Sequence, residues 1–247
     1  SLARISLCLM DNASPLLALA VPAGALLGLL CSIIALQIGK SLLPNGESLT
    51  ADPPDEFSLN RFSSMRQHIV AVLIGAVGIA TLTFVFDSSL QLALAATFSF
   101  AVLTLALIDA RIYMLPDLIT LPLLWLGLLV NTLDFFAPIG DAVLGAVAGY
   151  LALWVIYWLF KLLRDKEGLG YGDFKLTAAI GAWLGWQALP SVVLIATLTA
   201  LCTATVLVLA GRMKVEQPMP FGPFLAFAGF VTICLGQCFT QWMSGLA

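Results

Sequence analysis

The stretch that decides the fold is Leu176–Gly211, LTAAIGAWLGWQALPSVVLIATLTALCTATVLVLAG, thirty-six residues without one charge. As a single helix it would run about 54 Å at 1.5 Å per residue, nearly twice the hydrocarbon thickness of a bilayer. Pro190 lies inside it, where a turn is tolerated, so the spacing predicts a short helix near 174–188 and a full one near 190–211. Outward from this run, the charges cut the chain into further apolar segments at 12–39, 67–86, 88–108, 118–133, 142–160 and 217–247. Each has the length and character of one membrane crossing. The expectation is an all-α, polytopic membrane protein with about eight transmembrane helices.

Composition agrees. Of 247 residues 61% are hydrophobic and 10% charged, with a mean hydropathy of +1.03. A soluble domain carries roughly 25% charged residues, so no water-facing surface could be built from what remains. Eleven Lys and Arg against fourteen Asp and Glu leave a net charge of −3 and no basic stripe, which excludes a nucleic-acid partner and points to the lipid bilayer instead. The cysteines, Cys8, Cys31, Cys202, Cys234 and Cys238, form no CxxC pair, and they read as small hydrophobes with no metal site. The first apolar run is too long for a cleavable signal peptide and reads as an anchor.

Basic residues set the orientation. With the amino terminus outside, the inward segments 40–66, 109–117, 161–175 and 211–216 hold ten of the eleven Lys and Arg, leaving only Arg4 outside. Fusing 174–211 into one crossing would send Arg212 and Lys214 to the wrong face. The long polar stretch 41–67, with Pro44, Asn45, Gly46 and the acidic run Asp52–Glu56, reads as a cytoplasmic loop. No internal repeat divides the chain, so 1–247 reads as one integral membrane domain.

Two ionisable residues are pinned at helix ends. Asp109 ends an uncharged run, and Asp173 closes Gly168-Leu169-Gly170-Tyr171-Gly172-Asp173 before the next apolar helix. Both fall on the cytoplasmic face. Two carboxylates brought within about 3 Å cannot both ionise, so one stays charged while the other keeps its proton, the arrangement of aspartic proteolysis. Gly170 and Gly172 free the backbone beside Asp173. An acid at a helix boundary is more often an interfacial anchor or cap, so position alone carries little weight. The glycine-rich loop has no GKS or GKT and ends in an acid, which argues against a phosphate cradle. His68, the sole histidine, fits an interfacial position better than a catalytic one, and Gly145 and Gly149 form a GxxxG that would permit close helix packing.

The segment Gly170-Tyr171-Gly172-Asp173-Phe174-Lys175-Leu176, continuing through Ala178–Trp186, resembles the GxGD motif of bacterial type IV prepilin peptidases. Upstream, Ile108-Asp109 and Leu115-Pro116-Asp117-Leu118-Ile119-Thr120-Leu121-Pro122-Leu123 resemble that family's first aspartate motif, and Pro220-Phe221-Gly222-Pro223 its C-terminal signature. The resemblance covers about 100–230. It implies an inner-membrane aspartic endopeptidase that removes the basic leader of type IV prepilins and type II secretion pseudopilins at the cytoplasmic face. Asp109 and Asp173 would be the catalytic pair, Gly170, Gly172 and Lys175 the active-site loop, and Asp117 a supporting acid. An alternative pairing would use Asp117 in place of Asp109.

The same family commonly methylates the new amino terminus with S-adenosylmethionine, and most members carry two CxxC pairs in the first cytoplasmic loop. Residues 39–67 contain no cysteine, which leaves methyl transfer open. Glu47, Asp52, Asp55, Glu56, Asp165, Glu167 and Glu216 would be available to attract a basic leader, although a solvated loop is the simpler account of Asp52, Asp55 and Glu56. The rival reading is a proton-coupled transporter relaying protons through intramembrane carboxylates.

Overall fold

The computed structural model describes residues 13–42, 65–164, 170–214 and 218–244. Among them are eight α-helices: α1 (Ala13–Leu42), α2 (Met65–Val85), α3 (Ser89–Ile112), α4 (Asp117–Asn131), α5 (Ile139–Arg164), α6 (Tyr171–Leu184), α7 (Leu189–Leu209) and α8 (Gly222–Ser244). A short 3-10 turn, Trp186–Ala188, joins α6 to α7. Five helices are long and apolar enough to cross a membrane, at Leu19–Gly39, His68–Val85, Ser89–Ile112, Ile139–Leu162 and Trp186–Leu209. The described residues are therefore those of an all-helical, multi-pass membrane protein.

The division of the long apolar run occurs where the backbone permits it rather than where proline was expected to act. Gly185 has φ +79° and ψ 168°, a conformation that side chains with a Cβ scarcely adopt, and it ends α6. Pro190 lies instead in the first turn of α7, where its missing N–H is no loss. α5 extends past both expected ends, from Ile139 to Arg164, so that Lys161 is a helix residue rather than a loop residue.

The chain forms two compact units. One holds α1, α2 and α3 through Phe100, with the end of α8 from Thr240; the other holds residues 101–239. In the first, α1 and α2 approach at glycines. A Cβ at Gly24 would lie 2.8 Å from Ala76 Cα, and one at Gly75 would lie 2.8 Å from Gly28 Cα. Ser32 Oγ and His68 Nδ1 share a hydrogen bond of 2.9 Å, and the Cys31 thiol donates to the Phe100 carbonyl at 3.5 Å.

In the second unit, α6 is the central element. Ten consecutive-face and inner residues from Asp173 to Trp183, Lys175 excepted, are buried. Gly145 and Gly149 of α5 bear on it: the Gly145 and Gly181 backbones are in mutual contact, and a Cβ at Gly149 would lie 2.7 Å from the Thr177 carbonyl oxygen. Apolar lipid gives helices no hydrophobic reason to associate, so such close backbone packing supplies the dispersion contact that holds them. On the other side, Trp183 fills the space left by Gly127 of α4 and donates its indole N–H to the Leu123 carbonyl at 2.9 Å.

Asn131 closes α4 and is fully buried. Its amide donates to the carbonyls of Ala182 and Trp183, both at 2.9 Å, and its side-chain oxygen accepts from the backbone N–H of Phe136 and Ala137 at 3.1 and 3.2 Å. The end of α6 and the turn after α4 are thereby fixed together with every polar group of this side chain engaged.

Candidate active site

Asp109 lies in the last turn of α3, a helix that is uncharged for the twenty residues before it. Its side chain is buried, and Oδ2 accepts the backbone N–H of Gly222, the first residue of α8, at 2.9 Å. A Cβ at position 222 would lie 2.6 Å from that same oxygen. Only glycine lets the backbone come this close, which gives the Pro220–Pro223 segment a physical role that residue type alone did not disclose.

Asp173 is the third residue of α6. Its carboxylate reaches back to the Gly170 N–H at 3.3 Å, while its backbone N–H donates to the Gly170 carbonyl at 3.1 Å. This is the acidic half of a capping box, favoured by the exposed N–H groups of a first helical turn. The side chain is nevertheless buried. The Asp173 carboxyl is raised from 3.8 to about 7, by burial first and by the charge of Asp109 second, with the Gly170 N–H opposing both. Asp109 and Asp173 are thus brought within electrostatic reach across 64 positions of sequence.

Gly172 serves packing. A Cβ there would lie 2.7 Å from Leu115 Cβ, so the turn before α4 rests directly on the Asp173 loop. Asp117, in the first turn of α4, does not join the acid pair. Lys175 Nζ donates to both of its oxygens, at 2.6 and 2.7 Å. Thr177 anchors the same helix by donating to the Asp173 carbonyl at 2.8 Å. The acidic residues Glu47, Asp52, Asp55, Glu56, Asp165, Glu167 and Glu216, and most of the 41–67 loop, lie outside the described residues.

The sequence profile of the type IV leader peptidase family matches residues 96–205, a segment that includes both aspartates and the glycine-rich loop. Over this segment, a little under half of its length, the chain is similar to that family. Among curated relatives, a protein of Aeromonas salmonicida named prepilin leader peptidase/N-methyltransferase is 52% identical over 144 residues, covering 58% of this chain and 50% of its own length. One of the same name from Dickeya chrysanthemi is 58% identical over 131 residues, or 53% of this chain and 46% of the relative. A third, from Burkholderia pseudomallei, is 54% identical over 145 residues, or 59% and 47%. The chain spans about half the length of the curated relatives it matches. No solved structure matches it.

The arrangement has a definite chemical capacity: two buried acids within electrostatic reach of each other disfavour joint ionisation, so that one can serve as a base while the other keeps its proton. Each acid also accepts a backbone N–H, which fixes its orientation without a side chain that could move away.

Proposed function

We propose that this protein is a prepilin leader peptidase of the bacterial inner membrane, with Asp109 and Asp173 as its catalytic acids. The observation that carries the reading is a pair of buried carboxyls, Asp109 and Asp173, each held by a backbone N–H and both within the segment 96–205 that matches the type IV leader peptidase family. In this reading eight helices cross the bilayer with the amino terminus outside, α6 and the 3-10 turn together forming a short sixth crossing. Both acids then open to the cytoplasm. Substrates are type IV prepilins and type II secretion pseudopilins, whose basic leader waits at the inner rim while their hydrophobic helix stays in lipid.

In the reaction, Asp109 is ionised and takes a proton from water as the water attacks the scissile carbonyl carbon. Asp173 keeps its proton until charge develops on the carbonyl oxygen, and donates it there. The Gly222 N–H holds Asp109 by its Oδ2, leaving Oδ1 for water. Gly172 lets Leu115 rest on the loop beside Asp173, and Lys175 and Asp117 tie α6 to α4 beside it. A transporter would need relay carboxylates along the path through the membrane, whereas these two sit in the last turn of α3 and the first turn of α6.

Methyl transfer is a second activity in the relatives' names, and S-adenosylmethionine would be its donor. The described residues do not fit that group. Tyr157, Tyr171 and Phe174 form an aromatic cluster, but their rings pack on one another, and the Lys161 ammonium already stands over Tyr157 and Trp158 at 5.6 and 5.7 Å. We assign no residue to methylation.

The deciding assay incubates the purified chain in lipid vesicles with a prepilin and compares Asp109→Asn and Asp173→Asn with the parent. Cleavage by the parent and not by either variant is expected; full cleavage by either one rejects the mechanism. The mass of the mature product reports methylation in the same experiment.

A further inference from the structure

The turn that leads from the Asp109 helix, α3, into α4 carries a feature that the acid pair does not use. α3 ends at Ile112, and Tyr113 follows with φ +56°, in the left-handed region. A bulky residue seldom occupies that region, because Cβ crowds the neighbouring carbonyl; glycine or asparagine takes it readily. The conformation is locked by the Tyr113 N–H, which donates to the carbonyl of Asp109 at 2.9 Å. Two residues later, Leu115 rests on Gly172. The turn 113–116 therefore bridges from the helix of one aspartate to the loop of the other.

Here 53% of Tyr113 is exposed, as is 44% of Met114 beside it. Two large, mostly apolar side chains thus stand outward from a backbone rigidly tied to both acids, in a conformation that a smaller residue would adopt at less cost. Strain retained without burial is the mark of a position held for contact with something else. That partner must be apolar where it meets the ring and must lie beside the acid pair.

We infer that Tyr113, with Met114, forms a shelf that receives an apolar side chain of the peptide substrate next to its scissile bond, and so helps to set which bond is cut. The inference rests on the peptidase reading above. Tyr113 takes no part in proton transfer; it contributes contact area to the bound peptide. Its loss should weaken substrate binding and leave the chemical step nearly intact.

The test uses the full chain in lipid vesicles, with a prepilin and a set of its variants in which each apolar residue flanking the cleavage site is replaced in turn by alanine. Tyr113→Gly relieves the backbone, so it should withstand heat at least as well as the parent. Its KM for the unaltered prepilin should rise roughly tenfold with kcat within about twofold, and Tyr113→Phe should restore parental KM. For one of the alanine substrates the parent should already show the raised KM, and Tyr113→Gly should add nothing to it. Tyr113→Asn, which also accepts a left-handed backbone, should reproduce the glycine result.

An unchanged KM in Tyr113→Gly and Tyr113→Asn overturns the shelf. So does an equal loss on every substrate, which would make Tyr113 an anchor at the lipid surface. The parent, run alongside, separates the two ideas: no cleavage of any prepilin by the parent defeats the peptidase reading, whereas parental cleavage with an unchanged KM in the variants defeats the shelf alone.

Discussion

The α1–α2 pair and the α5–α6 pair are built by the same device and end with different contents. In each, glycines let one helix backbone lie against the other: Gly24, Gly28 and Gly75 in the first, Gly145, Gly149 and Gly181 in the second. Around the first contact the described polar side chains include Ser32 and His68, joined to each other. Around the second, α6 carries Asp173, the Lys175 that clasps Asp117, and the carbonyls that receive Asn131. Small residues supply close packing anywhere in an apolar chain. A site arises where that packing also encloses polar groups and meets each of them with a partner, because an unmet one in low dielectric would cost several kcal/mol.

The sharpest way to break this contrast is to remove a polar group from each region. Replacing Asp109 or Asp173 by Asn should lower cleavage of a prepilin by roughly 10³-fold or more, the scale expected for a group that moves a proton in the transition state. Ser32→Ala, which removes the corresponding polar contact of α1 and α2, should leave cleavage within about twofold. Equal losses in the two assays would mean that the first pair is more than a scaffold.

Packing gives the next largest difference. Gly28→Ala and Gly181→Ala each force a methyl group into backbone, Gly28 against Ala71 and Val72 and Gly181 against Gly145. Both should destabilise, by about 1–3 kcal/mol, as overpacking does. Only Gly181→Ala should also lower kcat, by about tenfold, because the helix it displaces carries Asp173 in its first turn. Thermal unfolding and cleavage measured on the same preparations decide it: a Gly28→Ala enzyme as impaired in kcat as Gly181→Ala would erase the distinction.

Much of this contrast was legible in the sequence. Charges fall between apolar runs because a charged side chain is expensive within a bilayer, so cutting the chain at charges, and dividing the 176–211 run by its length, located the eight helices of the described residues. The same expense made Asp109 and Asp173 conspicuous. Other parts were hidden for physical reasons. The break after α6 depends on the dihedral angles of Gly185, and a glycine in an apolar run reads equally well as packing, as Gly181 four residues earlier in fact is. Lys161 belongs to α5 because a long side chain can reach out of the membrane from a helical position, so a cut made at charges shortens the helix. Gly222 acts through its backbone N–H and its lack of Cβ, neither of which leaves a chemical signal in residue type. Asn131 was visible as an uncharged polar residue closing an apolar run, but a search for ionisable groups passes over it.

A smaller effect follows from the Asp173 carboxyl, raised from 3.8 to about 7 by burial first and by Asp109 second. Its protonated form should be the active one, so kcat should fall as pH rises through about 7. The sign for stability is the same. Between the unfolded value of 3.8 and the folded value of about 7 the native state holds a proton that the unfolded chain has released, so stability declines across that window. Asp173→Asn removes this burden and should raise stability at pH 8 by on the order of 1 kcal/mol while abolishing cleavage. A variant less stable than the parent at that pH would show that the buried carboxylate is favourable to the fold.

The smallest expected effect concerns Asp117 and Lys175. Their bond is short and engages both carboxylate oxygens, yet the side chains are 54% and 32% exposed. Water and salt screen such a pair, and its worth is about 0–1 kcal/mol; the first-turn position of Asp117 adds a few tenths through the helix terminus. Asp117→Asn should therefore lower thermal stability slightly, by an amount that shrinks as salt is added, and should leave cleavage within about threefold. Exchanging the two residues, Asp117→Lys with Lys175→Asp, should recover part of the stability lost by either change alone, although the lysine would then sit unfavourably at a helix amino terminus. This comparison also bears on the acid pair itself. Asp117 and Asp109 differ in one decisive respect: the first spends its charge on a lysine in water, the second lies buried against a backbone N–H and within reach of Asp173. If Asp117→Asn removed cleavage as completely as Asp109→Asn, exposure and pairing would have been poor guides to chemistry here, and the partner of Asp173 would have to be sought at position 117.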